Sequence, residues 1–582
     1  MTARARLLRF GLISAALLAA ASPAGAKNDP EVEAALAASA LPPGAATATG
    51  TYLSGLHAQK LHAYDEAADF LLKALASDPE EPALVQRAFQ LLISEGRIAE
   101  ALPLAREVIK RMPGNALANL ALAIDAARQG DSTAAGRFLD KMPQSGINRV
   151  TTPLLRSWLL ADGGRIDEAI GALDALMSQP SLRSAVSLHA ALIFDRAGRT
   201  AQAGERYAAA ASGAAGNLRV TRFAANFHLR QGQREAAAEV IQKFVDATGE
   251  RDLMAIEDRQ IADPGATVAP LASTPSDGIA EVLFDVATAA NQPQSRDLAL
   301  IVIRLALELR PDHGLGRMLL GDILEDYDRH AAAREVYRKL SPDSPLSWSA
   351  RLRAAVALDR LAQIDDSAVE LKAMIAERTD RSDAAIRLGD MMRARSRFPE
   401  AVEAYDIGLG RIGKLEPRHW PALYSRGIAL ERSKDWPRAE ADFQKALELQ
   451  PEQPYVLNYL AYSWVDKGIH LDRSLAMLQR AVDQRPNDGY IVDRLGWVMY
   501  RMERFEEAVR HLERAVELRP LDPVINDHLG DAYWRAGRRG EAKVQWQRAL
   551  TLNPEPDIVG PLNEKLSRGL PTAETPKRPD GG

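Results

Sequence analysis

One spacing governs this chain: a pattern of small and large residues returns every 34 positions. The clearest copy combines Leu529, Gly530, Tyr533, Ala542, Trp546, Ala549 and Pro554. The copy before it has Leu495, Gly496, Ala508, Leu512, Ala515 and Pro520, each 34 residues earlier. A fixed period of this length is the sequence signature of stacked repeats, in which each unit buries its apolar face against the next one.

The same frame extends over most of the chain. It fits fourteen copies, starting near residues 48, 82, 116, 150, 184 and 218, and again near 280, 314, 348, 382, 420, 454, 489 and 523. Small insertions near 416–419 and 469–472 shift the frame without breaking it. An alanine-rich chain could match such a pattern once or twice by chance, but chance would not maintain the register over fourteen copies.

Two positions of the repeat are small. Position 8 is Gly, Ala or Ser in every copy except the one with Phe89, and position 20 is Ala in twelve copies and Ser in the other two. Small residues at these positions let two helices approach closely, while a larger residue at position 24 fills the gap between helix pairs. Proline ends the second helix in eight copies because it cannot continue a helix.

This pattern resembles the tetratricopeptide repeat. The resemblance implies an all-α fold, an α-solenoid of about fourteen helix-turn-helix repeats forming a right-handed superhelix. We predict a block of six repeats at 48–251, an interrupting loop or joint at 252–279, and a block of eight repeats at 280–556. A capping helix is expected at 557–570 and a disordered tail at 571–582.

The first residues have the pattern of an export signal. Arg4, Arg6 and Arg9 precede an apolar run, and Ala24-Gly25-Ala26 follows it. This predicts a signal peptide at 1–26, a linker at 27–47 and an exported, periplasmic protein. The apolar run is shorter than the roughly 20 residues that a membrane span requires. The chain contains no Cys, so a lipoprotein is not expected.

No catalytic motif stands outside the repeats. Gly408, Gly410 and Gly413 imitate a nucleotide-binding loop, but they follow a predicted second helix, whereas such loops join a strand to a helix. The ten histidines are scattered, and no zinc-protease or serine-hydrolase spacing occurs. We therefore predict no enzyme, no cofactor and no metal. The formal net charge is −5, or −8 without residues 1–26, which argues against a nucleic-acid partner.

The last three repeats carry unusual residues at positions 2, 5, 9, 12 and 13, which line the concave groove in this repeat class. Large aromatic side chains beside Asn, Asp and Arg are typical of peptide-binding grooves. The candidate groove comprises Tyr455, Asn458, Tyr462, Tyr490, Asp493, Trp497, Tyr500, Arg501, Asp527, Asp531, Trp534 and Arg535. The alternative is that these aromatics only pack between adjacent first helices.

Two further resemblances concern partners. Arg222 and Asn226, at positions 5 and 9, resemble half of the carboxylate clamp by which some tetratricopeptide-repeat proteins hold a peptide C-terminus. The segments 457–462, 495–497 and 528–531 resemble a set of exported bacterial repeat proteins. That set includes the adaptor of a periplasmic carboxyl-terminal processing protease.

We therefore expect a scaffold or adaptor that binds a protein or peptide in its groove, with such a protease or its substrates as partner and no transmembrane span in the mature chain. The alternative is a structural factor in envelope or polysaccharide-export assembly that acts through convex or end surfaces.

Overall fold

The structure, a computed structural model, describes residues 47–61 and 63–571. The predicted signal peptide, the linker up to residue 46 and the tail from residue 572 lie outside the described residues. Within them the chain forms thirty α-helices, three short 3-10 turns and no strand. The predicted all-α solenoid of helix pairs is thus confirmed, while the handedness of its superhelix stays a prediction. None of the described helices combines the length and apolar character needed to cross a membrane.

The chain divides into two compact units between Arg329 and His330. The helices of the first unit are α1 Ala48–Lys60, α2 Tyr64–Ser77, α3 Pro82–Glu95, α4 Ile98–Arg111, α5 Ala116–Arg128, α6 Ser132–Leu139, α7 Asn148–Asp162, α8 Ile166–Asp174, α9 Arg183–Arg196, α10 Thr200–Ala211, α11 Leu218–Arg230, α12 Arg234–Thr248, α13 Ala255–Ala262, α14 Pro275–Ala290, α15 Arg296–Leu309 and α16 Gly314–Asp326.

The second unit continues the same alternation of first and second helices. Its helices are α17 His330–Arg338, α18 Ser347–Arg360, α19 Ile364–Glu377, α20 Asp383–Ala394, α21 Phe398–Gly410, α22 Trp420–Arg432, α23 Trp436–Leu449, α24 Pro454–Asp466, α25 Leu471–Gln484, α26 Gly489–Arg501, α27 Phe505–Leu518, α28 Pro523–Arg535, α29 Arg539–Thr551 and α30 Pro556–Arg568. The last of these lies where the sequence predicts a capping helix.

The two helices of a repeat cross where position 8 meets position 24. A Cβ atom on Gly496 would lie 2.6 Å from Cγ of Leu512, and one on Gly427 would lie 2.6 Å from the ring of Phe443. At position 20, all fourteen Ala and Ser side chains are at most 1% exposed. The small residues therefore set the distance between helices, and the large residue at position 24 occupies the space that they leave.

In the first unit, α14 and α15 fold back over the first helices. Helix α14 packs on α7 and α9, and α15 packs on α3 and α5. Gly278 of α14 lies so close to Trp158 of α7 that a Cβ atom would overlap the indole ring. The face that would line a groove in this unit is therefore covered by the protein's own helices.

This arrangement places the division of the chain later than the sequence indicated. We predicted the joint at 252–279, but this segment lies inside the first unit and contains a 3-10 turn at Arg251–Met254, α13 and the start of α14. The repeat pattern describes each helix pair correctly. It carries no information on whether a pair stacks on the end of the preceding pair or turns back over earlier ones.

Buried charges hold α14 in place. Arg219 of α11 donates to Glu281 at 2.9 Å and also pairs with Asp285, both on α14. Glu281 further contacts His313 at 3.1 Å, and Asp285 contacts His189 at 3.0 Å. These groups compensate one another, since an isolated buried charge would be strongly destabilising.

The two carboxyl groups of this network have lowered pKa values. Burial alone would raise both, but His313, Arg219 and Arg310 outweigh it and hold the pKa of Glu281 well below its ordinary value of 4.5. Arg219 and His189 likewise lower the pKa of Asp285 from 3.8. Ionisation of both groups is thus coupled to the docking of α14.

We predict that replacing a crossing glycine destabilises the second unit. Gly496→Ala places a methyl group against Leu512 and should cost about 1–3 kcal/mol through overpacking. The matched change Gly540→Ala, where no atom lies within 4 Å, should be neutral or stabilise by about 0.5–1 kcal/mol. Urea midpoints followed by tryptophan fluorescence test this, because every tryptophan except Trp158 lies in the second unit. Equal midpoints for the two variants would contradict the packing argument.

We also predict that acid loosens α14. A carboxyl group with a lowered pKa in the folded state stabilises that state above its unfolded-state pKa, and this contribution is lost as the pH falls. The free energy that protects residues 275–290 from hydrogen exchange, corrected for intrinsic rates, should therefore decline below about pH 5, by about 2 kcal/mol at pH 3. Glu281→Gln should lower protection at pH 7 and flatten the decline. A decline of the same steepness in this variant would exclude Glu281 as its source.

Candidate partner-binding surface

The first of the three candidate repeats presents one exposed tyrosine. Tyr455, the second residue of α24, is 38% exposed, and the guanidinium of Arg485 lies 5.0 Å from its ring centroid. Tyr462, two turns further along α24, is half-buried beneath the guanidinium of Arg494 at 3.5 Å. Asn458 is half-buried as well, and its Oδ1 has no hydrogen-bond partner among the described residues. This oxygen is itself buried, so it is not part of the accessible surface.

The second candidate repeat combines an exposed tyrosine with a packed aromatic stack. Tyr490 of α26 is 46% exposed, and Arg519 lies 4.8 Å from its ring centroid. Trp497 stacks on Tyr500 at 4.7 Å and on His528 of the next first helix at 4.0 Å. The Trp497 ring is therefore shared between two repeats and is not freely available.

Polar residues of the same helix also point toward neighbouring repeats. Asp493 is 2% exposed and contacts Nδ1 of His528 at 2.9 Å, which joins α26 to α28. Arg501 is half-buried, and its Nη2 lies 3.7 Å from the Cβ position of Gly468 in the preceding repeat. Asp493 thus stabilises the stacking of adjacent repeats, and Arg501 lies close to the preceding one.

The third candidate repeat is partly covered by α30. Nζ of Lys565 donates to Asp527 at 2.7 Å and to Asp531 at 2.9 Å, and Trp546 also donates to Asp531 at 2.9 Å. Gly569, just after α30, lies so close to Trp534 that a Cβ atom there would overlap the indole ring. Helix α30 therefore contacts the same face of α28 that the first helix of a following repeat would contact.

The charges at this end of the second unit are unevenly compensated. Burial and the neighbouring Asp527 raise the pKa of Asp531 to about 6, against an opposing effect of Lys565. Burial disfavours the charge of Lys565, yet Asp531 and Asp527 together raise its pKa. Burial and Asp531 also raise the pKa of Tyr500, an effect that Arg535 partly offsets. The ammonium group of Lys565 thus compensates the charges of two carboxylates, Asp527 and Asp531.

The candidate residues thus fall into two groups. Trp497, Tyr500 and Trp534 pack against neighbouring rings or helices, as the alternative interpretation holds. Tyr455 and Tyr490 keep much of their surface in contact with solvent. Sequence reasoning missed Arg485, Arg519 and Lys565, although the two arginines lie 34 residues apart and each precedes the proline at the end of a second helix.

The residues that resemble half of a carboxylate clamp are occupied by the chain itself. Arg222 donates to Glu257 of α13 at 2.8 Å, and Asn226 donates to the carbonyl oxygen of Ala269 at 2.9 Å. Glu257 is only 2% exposed. The segment after α12 therefore satisfies the groups with which a clamp would hold a peptide.

Among residues 47–61 and 63–571, no group of three or more His, Asp or Glu side chains is arranged to hold a metal ion.

Comparison with known proteins agrees with this architecture. A tetratricopeptide-repeat family model matches residues 87–148 and 379–454, and a second one matches residues 492–519. These segments of the chain therefore match tetratricopeptide repeats. Repeats of this kind typically form non-catalytic scaffolds for protein–protein interaction.

The chain is similar to a TPR repeat-containing protein of Pseudomonas aeruginosa, with 25% identity over 196 residues. The match covers 33% of this chain and 32% of the Pseudomonas protein, so the chain spans about a third of that relative's length.

Similar solved structures include the APC/C hetero-tetramer Cut9–Hcn1, with 14% identity, a TM-score of 0.36 and coverage of 90% of this chain and 97% of that chain. A tetratricopeptide repeat protein from Parabacteroides merdae has 16% identity, a TM-score of 0.34 and coverage of 43% and 96%. MamA from Desulfovibrio magneticus has 22% identity, a TM-score of 0.27 and coverage of 29% and 94%.

We predict that Lys565→Met loosens α30 in a pH-dependent manner. At pH 7.5 the variant leaves two neighbouring carboxylates without their shared cation, which should lower the protection of residues 556–568 by about 1–2 kcal/mol. At pH 5 the loss should be smaller, because Asp531, with a pKa of about 6, then takes up a proton. Hydrogen exchange measures the effect, and Lys543→Met on the exposed face of α29 is the control. A loss that is independent of pH would contradict the assigned charges.

Proposed function

We propose that this protein is a non-catalytic scaffold or adaptor that binds a partner protein or peptide through the last repeats of its second unit. The binding surface includes the starts of α24 and α26 and the inward face beside them. Tyr455 and Tyr490 are the main residues of this surface that contact the partner. The remaining candidate residues stabilise this surface indirectly, because they fix the spacing and orientation of α24, α26 and α28.

The observation that carries this proposal is the exposure of two tyrosines in equivalent positions. Tyr455 and Tyr490 are 38% and 46% exposed, whereas every other tyrosine of the described residues is buried or half-buried. Tyrosine is enriched among the residues that contribute most to protein–protein binding, because its ring offers contact area and its hydroxyl a hydrogen bond. Two such residues, one repeat apart, provide anchors for an elongated partner.

The first unit is the weaker candidate for this role. Helices α14 and α15 cover its first helices, and the segment after α12 engages both Arg222 and Asn226. A partner would have to displace α14 together with its buried ion pairs. The second unit needs no such rearrangement at Tyr455 and Tyr490.

We further propose that the protein acts in the bacterial periplasm. The residues that support this are the arginines and the apolar run before Ala26, which have the pattern of a secretory signal. The partner that we propose there is a carboxyl-terminal processing protease or its substrates. This rests on the resemblance of segments 457–462, 495–497 and 528–531 to exported repeat adaptors.

The test is a pulldown with the full mature chain from separate periplasmic and cytoplasmic extracts. The double variant Tyr455→Ala/Tyr490→Ala should reduce recovery of the periplasmic partner about tenfold or more, because loss of a main anchor usually costs more than 1 kcal/mol. The control Val369→Ala/Val544→Ala removes two side chains that are 69% and 64% exposed on second helices. It should leave recovery unchanged.

Equal recovery by both double variants would remove Tyr455 and Tyr490 from the binding surface. A partner obtained only from the cytoplasmic extract would contradict the periplasmic assignment. Crosslinking to membrane assembly machinery that is insensitive to the tyrosine changes would favour the alternative, a structural factor in envelope or polysaccharide-export assembly.

A further inference from the structure

Exposed apolar and arginine side chains gather at one edge of the last repeats. The first helices α24, α26 and α28 run parallel and contact one another in order, so their first turns lie at the same edge. The second helices α25 and α27 run antiparallel to them and end at this edge. We name the surface the arginine rim, which consists of Tyr455, Arg485, Tyr490, Arg519, Leu521 and Val524.

The arginine rim repeats one arrangement twice. Arg485, directly after α25, lies over Tyr455 at the start of the same repeat, and Arg519, directly after α27, lies over Tyr490. The two distances from guanidinium carbon to ring centroid are 5.0 and 4.8 Å. Gly489 permits the second contact, since a Cβ atom there would collide with the stem of Arg519. The ring contact orients each guanidinium before any partner arrives.

Neither rim arginine has a carboxylate partner. No carboxylate oxygen of the described residues lies within 4 Å of Arg485 or Arg519. The neighbouring acids are already engaged, since Asp488 and Asp522 accept hydrogen bonds from the first amides of α26 and α28. The N–H groups along the edge of each guanidinium therefore remain available for an anionic acceptor.

Two other arginines of these repeats, both on the second helices, have carboxylate partners. Arg480 of α25 pairs with Glu452, and Arg514 of α27 pairs with Glu517 at 2.9 Å. The whole chain carries 78 acidic against 73 basic residues, so unpaired arginines are not a consequence of excess positive charge. The two arginines of the rim are thus local positive sites in an acidic protein.

Apolar groups continue the rim into the last repeat. Leu521, in the loop before α28, is 74% exposed, and Val524 in its first turn is 38% exposed. Together with the two tyrosine rings, they provide apolar contacts on both sides of Arg519. A bound segment would therefore meet alternating positive and apolar groups along one edge.

We propose that the arginine rim binds an acidic, partly apolar segment of the partner protein. Its carboxylates accept hydrogen bonds from Arg485 and Arg519, while its apolar side chains contact Tyr455, Tyr490 and Leu521. This inference rests on the proposed function and specifies the chemistry of the partner. Charge-assisted hydrogen bonds to guanidinium groups are stronger than neutral ones, and they weaken as salt screens the charges.

The test pans a random library of displayed 12-residue peptides against the full mature protein. Peptides retained by Tyr455→Ala/Tyr490→Ala are subtracted, so that binders at other surfaces are removed. The remaining peptides should contain more Asp and Glu than the starting library. A synthetic copy of the most enriched peptide is then titrated by fluorescence anisotropy, at low and at physiological salt.

The titration compares two matched double variants. Arg485→Gln/Arg519→Gln should raise the Kd at least about tenfold and abolish most of its salt dependence, because two charge-assisted contacts are lost. Arg480→Gln/Arg514→Gln removes the same charge from the two helices that precede the rim arginines, at arginines with internal partners. It should change the Kd less than about threefold.

The outcomes separate this inference from the proposed function. Enrichment of neutral or basic peptides would overturn the inference and leave the binding surface standing. Acidic peptides whose Kd rises equally in both arginine variants would overturn it as well, because the effect would then be one of net charge. Absence of any tyrosine-dependent peptide would overturn the inference and count against peptide binding at this surface.

Discussion

The close crossing of the two helices in each repeat is the constraint on which the rest of this structure depends. Glycine, alanine or serine at position 8 leaves room for the residue at position 24, and the small residue at position 20 is buried in every copy. Where consecutive pairs stack, as at α24 to α28, each pair presents its first helix to the next pair in the same orientation. Side chains at equivalent positions then line up along a common face, and a surface extends over several repeats.

The two units use that face differently. In the first unit the face is occupied by α14 and α15, which are held by the buried ion pairs of Arg219 with Glu281 and Asp285. In the second unit the face ends beneath α30, where Lys565 pairs with Asp527 and Asp531. The first turns of α24 and α26 are not covered in this way, and Tyr455 and Tyr490 remain exposed there. The proposed surface is therefore confined to a few repeats of a long chain.

Much of the fold could be predicted because the repeat pattern is local. The register located the helix pairs and their crossings, since small and large residues must recur wherever two helices meet closely. The candidate site was predicted less completely. The pattern selected Tyr455 and Tyr490, but it selected Trp497 and Trp534 by the same rule, and their neighbours His528 and Gly569 come from other helices. Arg485 and Arg519 were missed because they lie directly after second helices, outside the first-helix positions that the pattern assigns to the groove.

The sequence by itself determined that this chain is a series of helix pairs, because the spacing of small, large and proline residues leaves no other regular structure that buries them. Only the tertiary structure decided which first-helix faces are open. Covering a face depends on contacts between residues far apart in the chain, such as Arg219 with Glu281 or Lys565 with Asp531. A repeat pattern relates each residue only to the equivalent residue 34 positions away. It therefore does not predict contacts between such pairs.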